Sequence, residues 1–223
     1  MLLSYQRAFV FIHIEKAAGS SIQNALRPFA PPKTKNHFRR RLTALGSLNR
    51  LGGLYRAVEF PEHVTANEVK RCLPEPLYDS LFKFAFVRNP WDRLVSRYAH
   101  LLRSKDRRRH GQISRMEKFE DFLEWELQRD SAFQYAYVTG GDGKLIVNFI
   151  GYYERLAEDF AKVCARLKVQ AELPRTNVSE HRDYRSYYTP KTRELVAKKF
   201  QRDIEMFGYN FDGFAGAPST RSA

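Results

Sequence analysis

Cysteine is scarce: Cys72 and Cys164 are the two in a chain of 223 residues, with no spacing that suggests a disulfide framework or a zinc site, and both are expected to be reduced thiols. Long apolar runs are also missing. No stretch reaches the roughly 18 apolar residues of a membrane span. The N-terminal apolar run lacks the length and cleavage signal of a secretory leader, so the expected address is the cytoplasm. No group of His, Cys or carboxylates has ligand spacing, and no metal is expected. Internal repeats and long linkers are absent. Acids are outnumbered, 25 against 38 Lys and Arg, and the formal charge of +13 favours anionic partners such as nucleotides, acidic glycans, nucleic acid or lipid headgroups.

What is present is a chain with 43% apolar residues, enough for a substantial core and in the range of one large α/β domain. "AFVFIHI" (8–14) is apolar on both faces, as a central parallel strand requires, and an amphipathic helical pattern begins only after Gly19. "YRAVEF" (55–60) and "FKFAFV" (82–87) are further β-rich runs, each followed by a proline and then a helical pattern. After the third, Asn89 can cap a helix, Pro90 suits its first turn, and Trp91, Leu94, Val95, Tyr98, Leu101 and Leu102 form one apolar stripe. Arg93, Ser96 and His100 lie on the other face. Helices are expected near 117–128, 154–168 and 191–206, with a possible strand at 145–150. This βαβ rhythm predicts an α/β fold with a mostly parallel central sheet flanked by helices. The domain is expected over 1–212 and a flexible tail over 213–223, with an exposed basic loop at 31–41.

The loop after the first strand joins unpaired backbone N–H groups, a helix N-terminus and Lys16, a combination that suits an oxyanion. The triphosphate loop G-x-x-x-x-G-K-[ST] places its lysine after both glycines, whereas here Lys16 comes first, which disfavours an ordinary ATPase or kinase. The alternative is a plain turn in which Gly19 relieves crowding and Lys16 is merely exposed. In "FAFVRNPWDRLVSRY" (84–98), Arg88 ends a strand and Ser96 sits off the apolar stripe, so both can face a ligand over the strand end; a solvated polar face is the alternative for Ser96.

Together "FIHIEKAAGSS" and "FVRNPWDRLVSRY" resemble the two nucleotide-binding motifs of sulfotransferases that use 3'-phosphoadenosine-5'-phosphosulfate (PAPS), in the branch containing carbohydrate (glycan O-) sulfotransferases. "VNFIGYYERLAEDF" and the segment from "LPRTNVSEHRDYRSYY" onward extend the resemblance over roughly 8–212. It implies a P-loop-like sulfotransferase fold, transfer of a sulfuryl group to a hydroxyl, 3',5'-ADP as product, and a glycan as the acceptor. It also implies that Lys16, Ala17, Ala18, Gly19, Ser20 and Ser21 hold the 5'-phosphosulfate, with Lys16 neutralising the departing oxygen, and that Arg88 and Ser96 hold the 3'-phosphate. Compared with the commoner form "HIPKTGGTS", Glu15 replaces proline, Ala17 and Ala18 replace a hydroxyl residue and a small one, and Ser20 replaces threonine.

The acceptor needs a base, and His63, after the second β-rich run and Pro61, falls on the strand edge that carries Lys16 and Arg88. Its setting "FPEHVTANEV" resembles the segment in glycan O-sulfotransferases where the catalytic histidine precedes a helix; Glu62 could orient it or act instead, and a surface histidine beside a Thr65 cap is the alternative. His13 is expected to pack or bond locally and His100 to face solvent. His181, with Asn177, Ser179 and Tyr184, could line the nucleotide site or belong to the core. The run "RSKDRRRH" (103–110) lacks a nucleic-acid motif, so nucleic acid is disfavoured as a partner. Two further readings stay open: an atypical nucleotide-dependent phosphotransferase and a noncatalytic anion-binding module.

Overall fold

In the computed structural model, which describes residues 1–31, 55–56, 59–103, 107–116, 118–129, 133–174 and 182–214, the apolar runs become a four-stranded sheet. β1 (Leu2–Ser4) pairs antiparallel with β2 (Phe9–Ile12), Leu2 opposite Phe11. β3 (Phe82–Val87) runs parallel to β2, with Phe9 opposite Phe82, and β4 (Phe149–Tyr152) runs parallel to β3, with Phe84 opposite Phe149. All four residues of β2 are buried, as a strand apolar on both faces must be. The expected α/β architecture with a mostly parallel sheet is present, with one antiparallel strand at its edge.

The described residues of the strand expected at 55–60 form none. Tyr55 and Arg56 form a short helical turn, Glu59 and Phe60 join no ladder, and residues 57–58 lie outside the described residues. Both hydrogen-bonding edges of β2 are taken, by β1 and β3, so the run finds no vacant ladder there. The possible strand at 145–150 starts later: Leu145 makes an isolated bridge to Thr139, and the ladder begins once the Asn148 side chain accepts the Lys83 amide at 2.8 Å.

The helices follow the local signals. α1 (Gly19–Leu26) starts directly after the Lys16 loop. α2 (Ala66–Cys72) opens on a capping box in which Thr65 accepts the Glu68 amide and Glu68 accepts the Thr65 amide. α3 (Glu75–Ser80) leads into β3. α4 (Pro90–Leu102) begins where expected, with Asn89 accepting the Trp91 amide at 3.1 Å and Pro90 in its first turn. α5 (Arg107–Ile113), α6 (Phe119–Leu127), α7 (Gln134–Val138) and α8 (Leu156–Leu167) follow. The helix expected over 191–206 is two, α9 (Pro190–Lys199) and α10 (Gln201–Phe207), separated at buried Phe200. β5 (Tyr209–Asn210) and β6 (Gly213–Phe214) pair as a small hairpin, and residues 215–223 lie outside the described residues.

The chain forms two compact units, Met1–Val87 with Ala136–Asn177, and Arg88–Tyr135 with Val178–Ala223. In the first, Phe9, Phe11, Phe84 and Phe86 of the sheet pack with Ile22 and Leu26 of α1 and Phe160 and Val163 of α8. In the second, Trp91, Leu94 and Val95 of α4 pack with Phe122 of α6 and Val196 of α9, so the predicted apolar stripe is the core-facing side of α4. Cys72 and Cys164 are both buried free thiols, and burial pushes the Cys164 thiol up. Among the described residues no helix is long and apolar enough to cross a membrane.

Candidate active site

In the first unit, β2 ends at Ile12 and the chain turns through residues 15–18 into α1. Lys16 and Ala18 both have positive φ, 66° and 60°, on either side of Ala17. Alternation of this kind coils the backbone so that successive N–H groups gather on one side. No side chain caps α1, and its first turn carries no acid. Helix geometry leaves the Gly19, Ser20 and Ser21 amides without intrahelical acceptors. Ser20 is exposed and Ser21 buried. The donors, the dipole and the Lys16 ammonium therefore fit an oxyanion, as the sequence suggests.

His13 sits under this loop. A Cβ at Gly19 would lie 1.8 Å from His13 Cδ2 and 2.0 Å from Nε2, so the buried imidazole fills the space a side chain would need. His13 Nδ1 is 3.3 Å from Glu62 Oε1, its ring stacks on Phe11, and its ring centroid is 4.8 Å from that of His63. His63 Nδ1 is 3.2 Å from the His13 carbonyl oxygen. A carbonyl only accepts, so Nδ1 carries the hydrogen and the neutral ring has its lone pair on Nε2. His63 is itself exposed, held between this bond and buried Val64, where the Thr65 box starts α2. The Gly19 cradle and His63 are thus brought together through His13, even though the described residues of the run expected to place His63 join no ladder.

Position 18 adds a detail. Ala18 takes a left-handed conformation where the commoner motif has glycine, and that conformation costs a residue with a Cβ about 1–2 kcal/mol. Ala18→Gly is expected to stabilise the protein by about 1 kcal/mol in chemical denaturation. Gly19→Ala should do the opposite: the gain of about 1 kcal/mol from alanine in a helix is outweighed by an overpacking cost of about 1–3 kcal/mol. Removing the ring with His13→Ala in the same chain should recover the Gly19→Ala loss, and failure to recover it would show that the imidazole is not the obstacle.

In the second unit, Arg88 follows β3 directly and is 3% exposed. Its Nε donates to Asp92 Oδ2 at 2.7 Å. Asp92 and Ser96 continue the same i, i+4 line down α4, and Ser96 is buried rather than solvated. His100, as expected, is exposed. The Arg88 peptide group is bound by Gln134, whose backbone N–H in turn donates to Asp203. Tyr184 donates its hydroxyl to the Phe211 carbonyl, while Asn177, Ser179 and His181 lie outside the described residues, as do 32–41 of the basic loop. The sequence reading missed Asp92, which the R-x-x-x-D spacing could have flagged, and Gln134 and Asp203, for which no local signal exists.

These features invite comparison with known proteins. A 120-residue stretch, 52% of this chain and 93% of the relative, is 33% identical to an uncharacterized protein of Archaeoglobus fulgidus. The crystal structure of mouse sulfotransferase SULT7A1 complexed with PAP is similar in fold, with a TM-score of 0.52 at 14% identity over 91% of this chain and 86% of that one. A sulfotransferase from Alicyclobacillus acidocaldarius aligns with a TM-score of 0.47 at 20% identity, over 87% of this chain and 92% of that one. Residues 1–210 match the sulfotransferase family, a span that takes in the Lys16 loop and the Arg88 strand end; the chain belongs to that family.

Proposed function

We propose that the protein transfers a sulfuryl group from PAPS to a hydroxyl of a carbohydrate and releases 3',5'-ADP. In that reaction the bond from sulfur to the 5'-phosphate oxygen breaks as a bond from sulfur to the acceptor oxygen forms, and the acceptor proton leaves. The Gly19, Ser20 and Ser21 amides and the Ser20 hydroxyl bind the 5' end, with Ala17 and Ala18 contributing backbone only. Lys16 neutralises charge on the departing oxygen. His63 takes the acceptor proton on Nε2. Arg88 and Ser96 hold the 3'-phosphate, the guanidinium through its planar fork.

The observation that carries this reading is the His63 Nδ1 contact with the His13 carbonyl, which leaves Nε2 of an exposed ring as the acceptor nitrogen, next to the His13 imidazole that fills the space at Gly19. Transfer of labelled sulfur from PAPS to a panel of sugars and simple alcohols tests it, with release of 3',5'-ADP measured alongside. Labelled sugar is the expected product. Label only on simple alcohols would remove the carbohydrate assignment, ATP consumption with magnesium would favour a phosphotransferase, and bisphosphate binding without turnover would leave a noncatalytic module.

A further inference from the structure

Arg88 occupies an awkward backbone position. The β3–β4 pairing ends at Val87 opposite Tyr152, and α4 starts only at Pro90, so neither ladder nor helix accounts for the Arg88 amide and carbonyl. Both are buried with their residue and need partners. Gln134 provides them: its Oε1 accepts the Arg88 amide at 2.9 Å and its Nε2 donates to the Arg88 carbonyl at 2.8 Å. A carboxamide has the same donor and acceptor pair as a peptide, so Gln134 acts as one residue of a neighbouring strand. It is completely buried, and it is oriented in turn by Asp203, whose two carboxylate oxygens accept the Gln134 amide at 3.0 Å and the Tyr135 amide at 2.8 Å.

Asp203 is also 0% exposed. Burial pushes its carboxyl up, against the two backbone bonds and the charge of Arg93, which pull it down. An apolar residue there would leave the Gln134 and Tyr135 amides without their acceptor. The carboxylate also holds the start of α7, from which the Gln134 side chain reaches both the amide and the carbonyl of Arg88. Holding those two groups, one on each side of the Arg88 Cα, restrains φ and ψ there and so the direction in which the side chain leaves the backbone, while Asp92 restrains its far end through Nε.

We infer that Gln134, anchored by Asp203, is a positioning residue that aims Arg88 at the 3'-phosphate and so helps the protein distinguish a 3'-phosphorylated adenosine nucleotide from an unphosphorylated one. This rests on the assignment of Arg88 to the 3'-phosphate given above. The test is calorimetric binding of 3',5'-ADP and of 5'-AMP, which lacks the 3'-phosphate, to the wild type, Gln134→Met, Arg88→Ala and the double variant. Gln134→Met should weaken 3',5'-ADP about tenfold and 5'-AMP by less than about twofold, and should add nothing in the Arg88→Ala background. Equal losses for both nucleotides, or a loss that persists without the Arg88 side chain, would reduce Gln134 to a fold-holding role and overturn the inference while leaving Arg88 in place. If Arg88→Ala itself binds 3',5'-ADP as the wild type does, the Arg88 assignment falls and the inference with it. Should Gln134→Met not fold, Gln134→Glu is read in the same way: it keeps an acceptor for the Arg88 amide, loses the donor to the carbonyl, and should show the same selective loss.

Discussion

Lys16→Ala should leave a folded protein in which sulfuryl transfer has dropped by at least about a hundredfold, the usual cost of removing one preorganised charge from a developing oxyanion. The loss should fall mainly on turnover and less on nucleotide affinity, because negative charge builds on the departing oxygen as the reaction proceeds. The backbone supplies a second, opposite readout. Lys16 stands at φ 66°, a conformation that costs a residue with a Cβ about 1–2 kcal/mol. Lys16→Gly should therefore lose activity as Lys16→Ala does and yet resist denaturant better than the wild type. Turnover within a few-fold of wild type in either variant would remove Lys16 from the reaction.

His63→Ala should lower turnover by about a hundredfold to ten-thousandfold, the range for loss of a positioned general base. Affinity for 3',5'-ADP should be unchanged, since His63 is assigned to the acceptor side, and added imidazole should restore part of the rate. His63 is exposed, so its removal should cost little stability. Glu62 is the competing base, and its carboxylate lies 3.3 Å from His13 Nδ1. Glu62→Gln should reduce the rate far less than His63→Ala. The reverse order of effects would transfer the role to Glu62.

The legible parts of this protein are those whose signals are local. The strand at 82–87 and the helix after it could be read because the apolar pattern, the Asn89 cap and Pro90 all act within a few residues, and the structure places β3 and α4 there. The run at 55–60 has the same β-rich character, yet its described residues join no ladder, and the neighbours of β2 are β1 and β3 instead. β1, three residues long, is too short to show an alternating pattern of its own. The last long helix likewise splits at Phe200, a buried residue at φ −106° and ψ 22°, with no glycine or proline there to announce it.

The same division holds at the site. The sequence by itself determined the chemical inventory: a lysine before a glycine and two serines at a strand-to-helix turn, an arginine at a second strand end, and a histidine ahead of a capped helix. These are covalent neighbours, and their spacing is set by the chain. Only the tertiary structure decided that His13 fills the space over Gly19 and holds His63 through its carbonyl, and that Gln134 and Asp203 fix the Arg88 peptide. Apart from His13 and Gly19, which are near neighbours in the chain, those contacts join residues about 50 to 70 positions apart. Hydrogen bonds of such span form only once the hydrophobic core has brought their partners together, so no window of sequence can display them.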